Sequence, residues 1–122
     1  MPDWSIKIER TPAVFTPDID KLRPGTPLKV VQGDVVSWNN ESDDPHFLVP
    51  EPAPDPVSGK MMEFSPFMTA PLAPGNSSSG YNVIAPLRTT ICYHCTLHAN
   101  EHNKIVVVEF GATDYGPEDL IA

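Results

Sequence analysis

Two cysteines, three histidines and a glutamate fall within the fourteen positions of ICYHCTLHANEHNK, residues 91–104. Thiolate together with imidazole suits copper, zinc or iron and disfavours magnesium and calcium. Cys95 and His98 lie three residues apart, so one loop can present both donors to the same ion. Two donors do not make a site, and a third must come from elsewhere in the chain. His46 follows the polar turn at 40–45 and opens the apolar run HFLV, which puts an imidazole at a strand end.

The same segment argues against a redox pair. On a strand, side chains alternate, so Ile91, Tyr93 and Cys95 share one face while Cys92 and His94 share the other. The apolar Ile91 and Tyr93 mark the inward face. Cys95 is therefore expected to end its strand pointing inward, with the Cys92 sulfur directed away from it. His94 and His102 read most simply as surface residues.

These donors need a framework, and period-two apolar alternation supplies it while helical periodicity is weak throughout. Strands are expected at 4–9, 28–31, 34–40, 46–49, 80–84, 89–95 and 104–110. Gln32-Gly33 suggests a hairpin between the second and third. Fifteen prolines count against long helices. The pattern is that of an all-β fold, an antiparallel sandwich or barrel in one domain, 1–122. Residues 50–80 fit it least: a proline-rich loop leads to MMEFSPFM, expected as a flap or short helix over the sandwich, and then to a polar turn. The tail is expected to dock loosely through Leu120 and Ile121.

Sixteen acidic against eight basic residues give a net charge of −8. Nucleic acid and anionic membranes are therefore poor partners, while a basic protein surface is a good one. No apolar run of about twenty residues is present to span a membrane. MPDWSIKIER lacks the features of a signal peptide, so the expectation is a cytosolic chain if Met1 is the native start. No serine-histidine-acid set, phosphate loop or paired catalytic carboxylate stands out.

Three motifs together, GDVVSWNN followed by His46, YHCTLH, and NKIVVVE, resemble the cupredoxins, the small blue-copper proteins. The resemblance covers about residues 28–49 and 80–110. It implies a Greek-key β-sandwich, one copper ion, and His46, Cys95 and His98 as its three equatorial ligands. The family's weak axial methionine falls at Glu101, and the glycine two positions later is Asn103. A hard carboxylate favours Cu(II) over Cu(I), as in the family's red-copper branch. His102, the flap residues Met61, Met62, Met68 and Glu63, and water or no ligand at all are the rivals for this fourth position.

The function implied is an electron carrier cycling between Cu(I) and Cu(II) and exchanging electrons with a redox partner protein. His98 would be the exposed ligand, rimmed by Leu97 and Ala99, and the compartment would be periplasmic or otherwise extracytoplasmic. One alternative is a red-copper enzyme or sensor that binds a small molecule such as nitric oxide. Another is structural zinc held by Cys92, Cys95, His98 and His102. Asn39 or Asn40 is expected to brace the ligand loop, whereas Phe47 stands where many relatives carry asparagine.

Overall fold

The computed structural model describes residues 2–10, 13–98 and 100–121. The first sheet is built from β1 (Asp3–Glu9), β2 (Val14–Pro17), β4 (Val35–Asn40) and β8 (Tyr81–Asn82), in the order β2-β1-β4-β8. The second combines β3 (Leu28–Val30), β5 (Leu48–Pro50), β9 (Thr90–Cys95) and β10 (His102–Val107), in the order β3-β10-β9-β5. One cluster of buried side chains lies between them, fed by Ile6, Ile8, Val36 and Trp38 from the first sheet and Leu28, Ile91, Tyr93 and Ile105 from the second. Each of these obeys the period-two alternation visible in the sequence.

The sandwich is mixed rather than wholly antiparallel. β1 runs parallel to β4, and β3 runs parallel to β10. The expected hairpin at Gln32-Gly33 does not form, because β3 and β4 belong to different sheets. Buried Asp34 is the reason: its Oδ2 accepts hydrogen bonds from Val31 N at 2.9 Å and Trp4 Nε1 at 2.8 Å. The clamp turns the chain from one sheet to the other, with Gly33 at φ 98°.

Residues 50–80 form no helix. β6 (Ala53–Pro54) and β7 (Met61–Met62) make a two-stranded ribbon, and its turn is capped by the Asp55 carboxylate. Those backbone N–H donors hold the Asp55 carboxyl below its usual pKa. Beyond the ribbon, Phe67 is buried and stacks on Trp38, ring centroids 4.4 Å apart. Among the described residues the one helical turn is a 3-10 segment at Pro117–Asp119, and no helix is long and apolar enough to cross a membrane.

The tail docks at Leu120 and Ile121, but through the backbone: Leu120 bridges Leu22 and Ile121 N donates to Lys21 O at 2.7 Å, while the Ile121 side chain is exposed. Tyr115 is the anchoring side chain: its hydroxyl accepts from Lys29 N and donates to Pro27 O.

Candidate metal centre

Strand β9 places Ile91, Tyr93 and Cys95 inward, all buried, while Cys92 is exposed. β9 and β10 pair antiparallel with His102 opposite His94, so the next residue back, Glu101, falls opposite Cys95. Cys95 N donates to Glu101 O at 3.0 Å, which closes the ligand loop. Directly opposed residues of a pair project from the same face, so the carboxylate and the thiol both enter the sandwich. The loop turns through Asn100, at φ 67°, a conformation asparagine tolerates. Asn103 is not the turn residue. It lies in β10, and its side chain donates to Phe15 O at 2.7 Å.

His46 reaches the same point from the other side. Its backbone pairs with Leu72 through both N–H···O bonds, at 3.1 and 2.7 Å, and the following residue is tied to the ligand loop by Thr96 N donating to Phe47 O. The ring is fully buried. Its Nε2 lies 2.9 Å from Ser42 Oγ, and the neighbouring bonds decide who donates. Asn40 Nδ2 donates to Asp44 O and Leu72 O, so its Oδ1 faces Ser42 and accepts from both Ser42 N and Ser42 Oγ. With the serine proton spent on Asn40 at 2.6 Å, Ser42 Oγ accepts from His46 Nε2–H. Nδ1 is thereby the ring atom turned toward the centre.

Four donors converge there. His46 Nδ1 lies 3.0 Å from Glu101 Oε1 and 3.7 Å from Cys95 Sγ. His98 Nδ1 lies 3.6 Å from Cys95 Sγ and 3.4 Å from Glu101 Oε1. All four donor atoms fall within 4.8 Å of one another. Around a tetrahedral ion with metal–nitrogen and metal–oxygen bonds of about 2.0 Å and a metal–sulfur bond of about 2.3 Å, neighbouring donors stand roughly 3.3–3.5 Å apart. The observed separations bracket that spacing. Glu101 is also anchored from behind, because Ala13 N donates to its Oε2 at 2.6 Å.

His46, Cys95, His98 and Glu101, each expected from the sequence, are thus brought together. His46, Cys95 and Glu101 are buried, and the side chain of His98 is 29% exposed. The rival fourth donors take other places. His102 lies on the outer face of β10, exposed. Met62 and Glu63 line a cavity with Gly80, Tyr81 and Asn82, next to the start of β4, whereas His46 follows its end. Met61 is exposed and Met68 packs on the apolar cluster. The four-ligand zinc cluster does not form, since Cys92 and His102 lie on the outer face and Cys95 within. Ala99 lies outside the described residues, and its expected partner Leu97 is exposed.

Among the described residues, neither Asn39 nor Asn40 is seen bonded to the ligand loop as expected: the Asn40 side chain braces the turn before His46 instead, while Asn39 makes an exposed bond to Glu41. Ser42 and the Ala13 backbone were not expected. Ser42 sits in a polar turn with no pattern to single it out, and Ala13 joins the site only through the packing of β2 against β10.

No family model matches the chain, and no curated protein matches it. Solved structures do. A purple cupredoxin from Nitrosopumilus maritimus is 20% identical, with 84% of this chain and 97% of that chain covered and a TM-score of 0.56. A mutant plastocyanin of fern is 18% identical, with 84% and 98% covered and a TM-score of 0.54. The fold is therefore that of the cupredoxins.

Proposed function

We propose that this chain binds one copper ion through His46, Cys95, His98 and Glu101 and carries electrons by cycling it between Cu(I) and Cu(II). The observation that supports this most directly is the 3.0 Å separation of His46 Nδ1 and Glu101 Oε1. In the neutral ring whose Nε2–H is taken by Ser42, Nδ1 and Glu101 Oε1 face each other as two lone pairs, which a shared metal ion would bridge in place of a proton. Cys95 and His98 complete the set, and a thiolate with two imidazoles selects a soft or borderline metal. The cupredoxin fold supports copper over zinc.

The ion supplies one-electron redox chemistry; the chain sets its terms. Cys95 and Glu101 together carry two negative charges, which a divalent ion neutralises and a monovalent ion does not. Burial of both makes that difference costly, so the donor set favours the oxidised state. Three ligands lie on or beside paired strands and the fourth on a six-residue loop, so little can move when the charge changes. His98, with Leu97 beside it, is the edge of the site nearest solvent and the route for electrons. With four protein side chains able to hold the ion, electron transfer is favoured over binding a small molecule there. A basic-surfaced redox partner fits the net charge of −8.

The test is to load the chain with one equivalent of Cu(II). An intense visible thiolate-to-copper band, reversible on one-electron reduction and absent from Cys95→Ser, is expected. A colourless protein with a copper signal indifferent to Cys95→Ser would sink the reading.

A further inference from the structure

The outer face of the second sheet carries a further group of donors. Cys92 and His94 project outward from β9, His102 and Lys104 from β10, and Glu51 lies just past β5. The register places His102 opposite His94 and Lys104 opposite Cys92. Because Cys95 and Glu101 form a hydrogen-bonded pair, the alternation makes His94 and His102 a non-hydrogen-bonded pair, the kind whose side chains stand closest. Glu51 N donates to Cys92 O at 2.8 Å, which brings that carboxylate onto the same face. Its Oε2 lies 3.1 Å from His94 Nδ1. A carboxylate only accepts, so His94 Nδ1 holds a proton, and in the neutral ring Nε2 carries the lone pair. Glu51, Cys92, His102 and Lys104 line one shallow groove of about 460 Å³.

We propose that Cys92, His94 and His102 form a second metal site, for a borderline divalent cation of the zinc or copper(II) kind, with Glu51 orienting His94. The chemistry is a thiolate and two imidazoles, one of them backed by a carboxylate, which fixes its tautomer and raises its basicity as metal-bound histidines require. Two donors two residues apart on one strand and a third on the adjacent strand stand on one face of the sheet. Among the described residues only the inner group has all its donors within 4.8 Å of one another, so the outer three close on the ion by side-chain rotation. Their exposure permits it. Lys104 opposes the cation, and its long exposed stem lets the ammonium swing clear.

Zinc(II) is the probe, since it does not oxidise the exposed Cys92. Titrated into the full chain, it is expected to bind at two equivalents, falling to one in the double variant His94→Ala, His102→Ala and to one in the inner variant that combines Cys95→Ser with His98→Ala. Glu51→Gln is expected to weaken the outer equivalent about 10- to 100-fold. Zinc should also slow alkylation of Cys92 in the parent chain and not in the double variant. A stoichiometry unchanged by the double variant, or Cys92 alkylation indifferent to zinc, overturns the proposal. Loss of one equivalent in the double variant, with no loss in the inner variant, upholds the outer site and overturns the inner one instead.

Discussion

Glu101 and Ala13 are 88 residues apart in sequence and joined by a 2.6 Å hydrogen bond from the Ala13 backbone N–H to Glu101 Oε2. One carboxylate oxygen is thereby committed to the β1–β2 side of the sandwich. The other is left 3.0 Å from His46 Nδ1 and 3.4 Å from His98 Nδ1. A thioether at this position would offer neither the anchor nor the charge. In the proposed copper site, a tethered carboxylate stands at the position where the sequence resemblance puts a methionine.

Replacing Glu101 with methionine removes the negative charge that favours the oxidised ion. The reduction potential of the copper-loaded protein is expected to rise by on the order of 100 mV, about 2 kcal/mol. Glu101→Gln keeps an acceptor for Ala13 N and loses the charge, so its potential should rise as well. A redox titration of the three proteins checks this. Identical potentials would remove Glu101 from the electrostatics of the site.

Ser42→Ala deletes the acceptor that holds His46 Nε2–H and leaves Asn40 Oδ1 without its hydroxyl partner. Metal affinity, read by competition with a chelator, is expected to fall about 10- to 100-fold. Ser42→Thr retains a hydroxyl and should restore most of the affinity. Equal affinity for serine and alanine would show that Leu72 alone orients the ring.

Tyr93 is fully buried and its hydroxyl has no hydrogen-bond partner of normal geometry. Burial raises its pKa well above the usual 10.0, with the nearby Trp38 indole a smaller opposing influence. The folded chain therefore keeps this proton where the unfolded chain releases it. The resulting stability is whole below pH 10 and is lost as pH rises beyond it, by up to about 1.4 kcal/mol per pH unit. Tyr93→Phe should unfold with equal or slightly higher stability at pH 7, by up to about 1 kcal/mol, and with a shallower alkaline decline. Denaturation curves at pH 7 and above pH 10 decide it.

What the sequence made legible was whatever depends on alternation or on spacing within one segment. The inward set Ile91, Tyr93 and Cys95 followed from period two, and the Cys95–His98 pair from its spacing. The facing of Glu101 follows from the same alternation once β10 is in register with β9. Relations between distant segments were not legible. Asp34 sends the chain from one sheet to the other through a bond to Trp4, thirty residues away, which no local turn signal encodes. The Ser42 relay depends on which way the Asn40 amide points, and Leu72 O, thirty-two residues on, helps decide that. His46 was put at a strand end by its turn and the apolar run that follows, and the resemblance of the surrounding motif added its role as a ligand.

The 50–80 segment does more than cover the sandwich, and Phe67 is where this can be tested. Its ring stacks on Trp38 and meets Tyr81 and Tyr93 edge-on, at centroid distances of 4.7 and 5.6 Å. Five residues later the same segment pairs Leu72 with the His46 backbone. Phe67→Ala empties a site among three aromatic rings and should cost about 3–5 kcal/mol in chemical denaturation. It should also loosen the Leu72–His46 pairing, so metal affinity is expected to fall several-fold in a variant that still folds. Val57, on the ribbon turn and 93% exposed, supplies the comparison: Val57→Ser should change neither. Lower stability with unaltered affinity in Phe67→Ala would make the segment a cover and nothing more, with the ligand held by Asn40 and Ser42 alone.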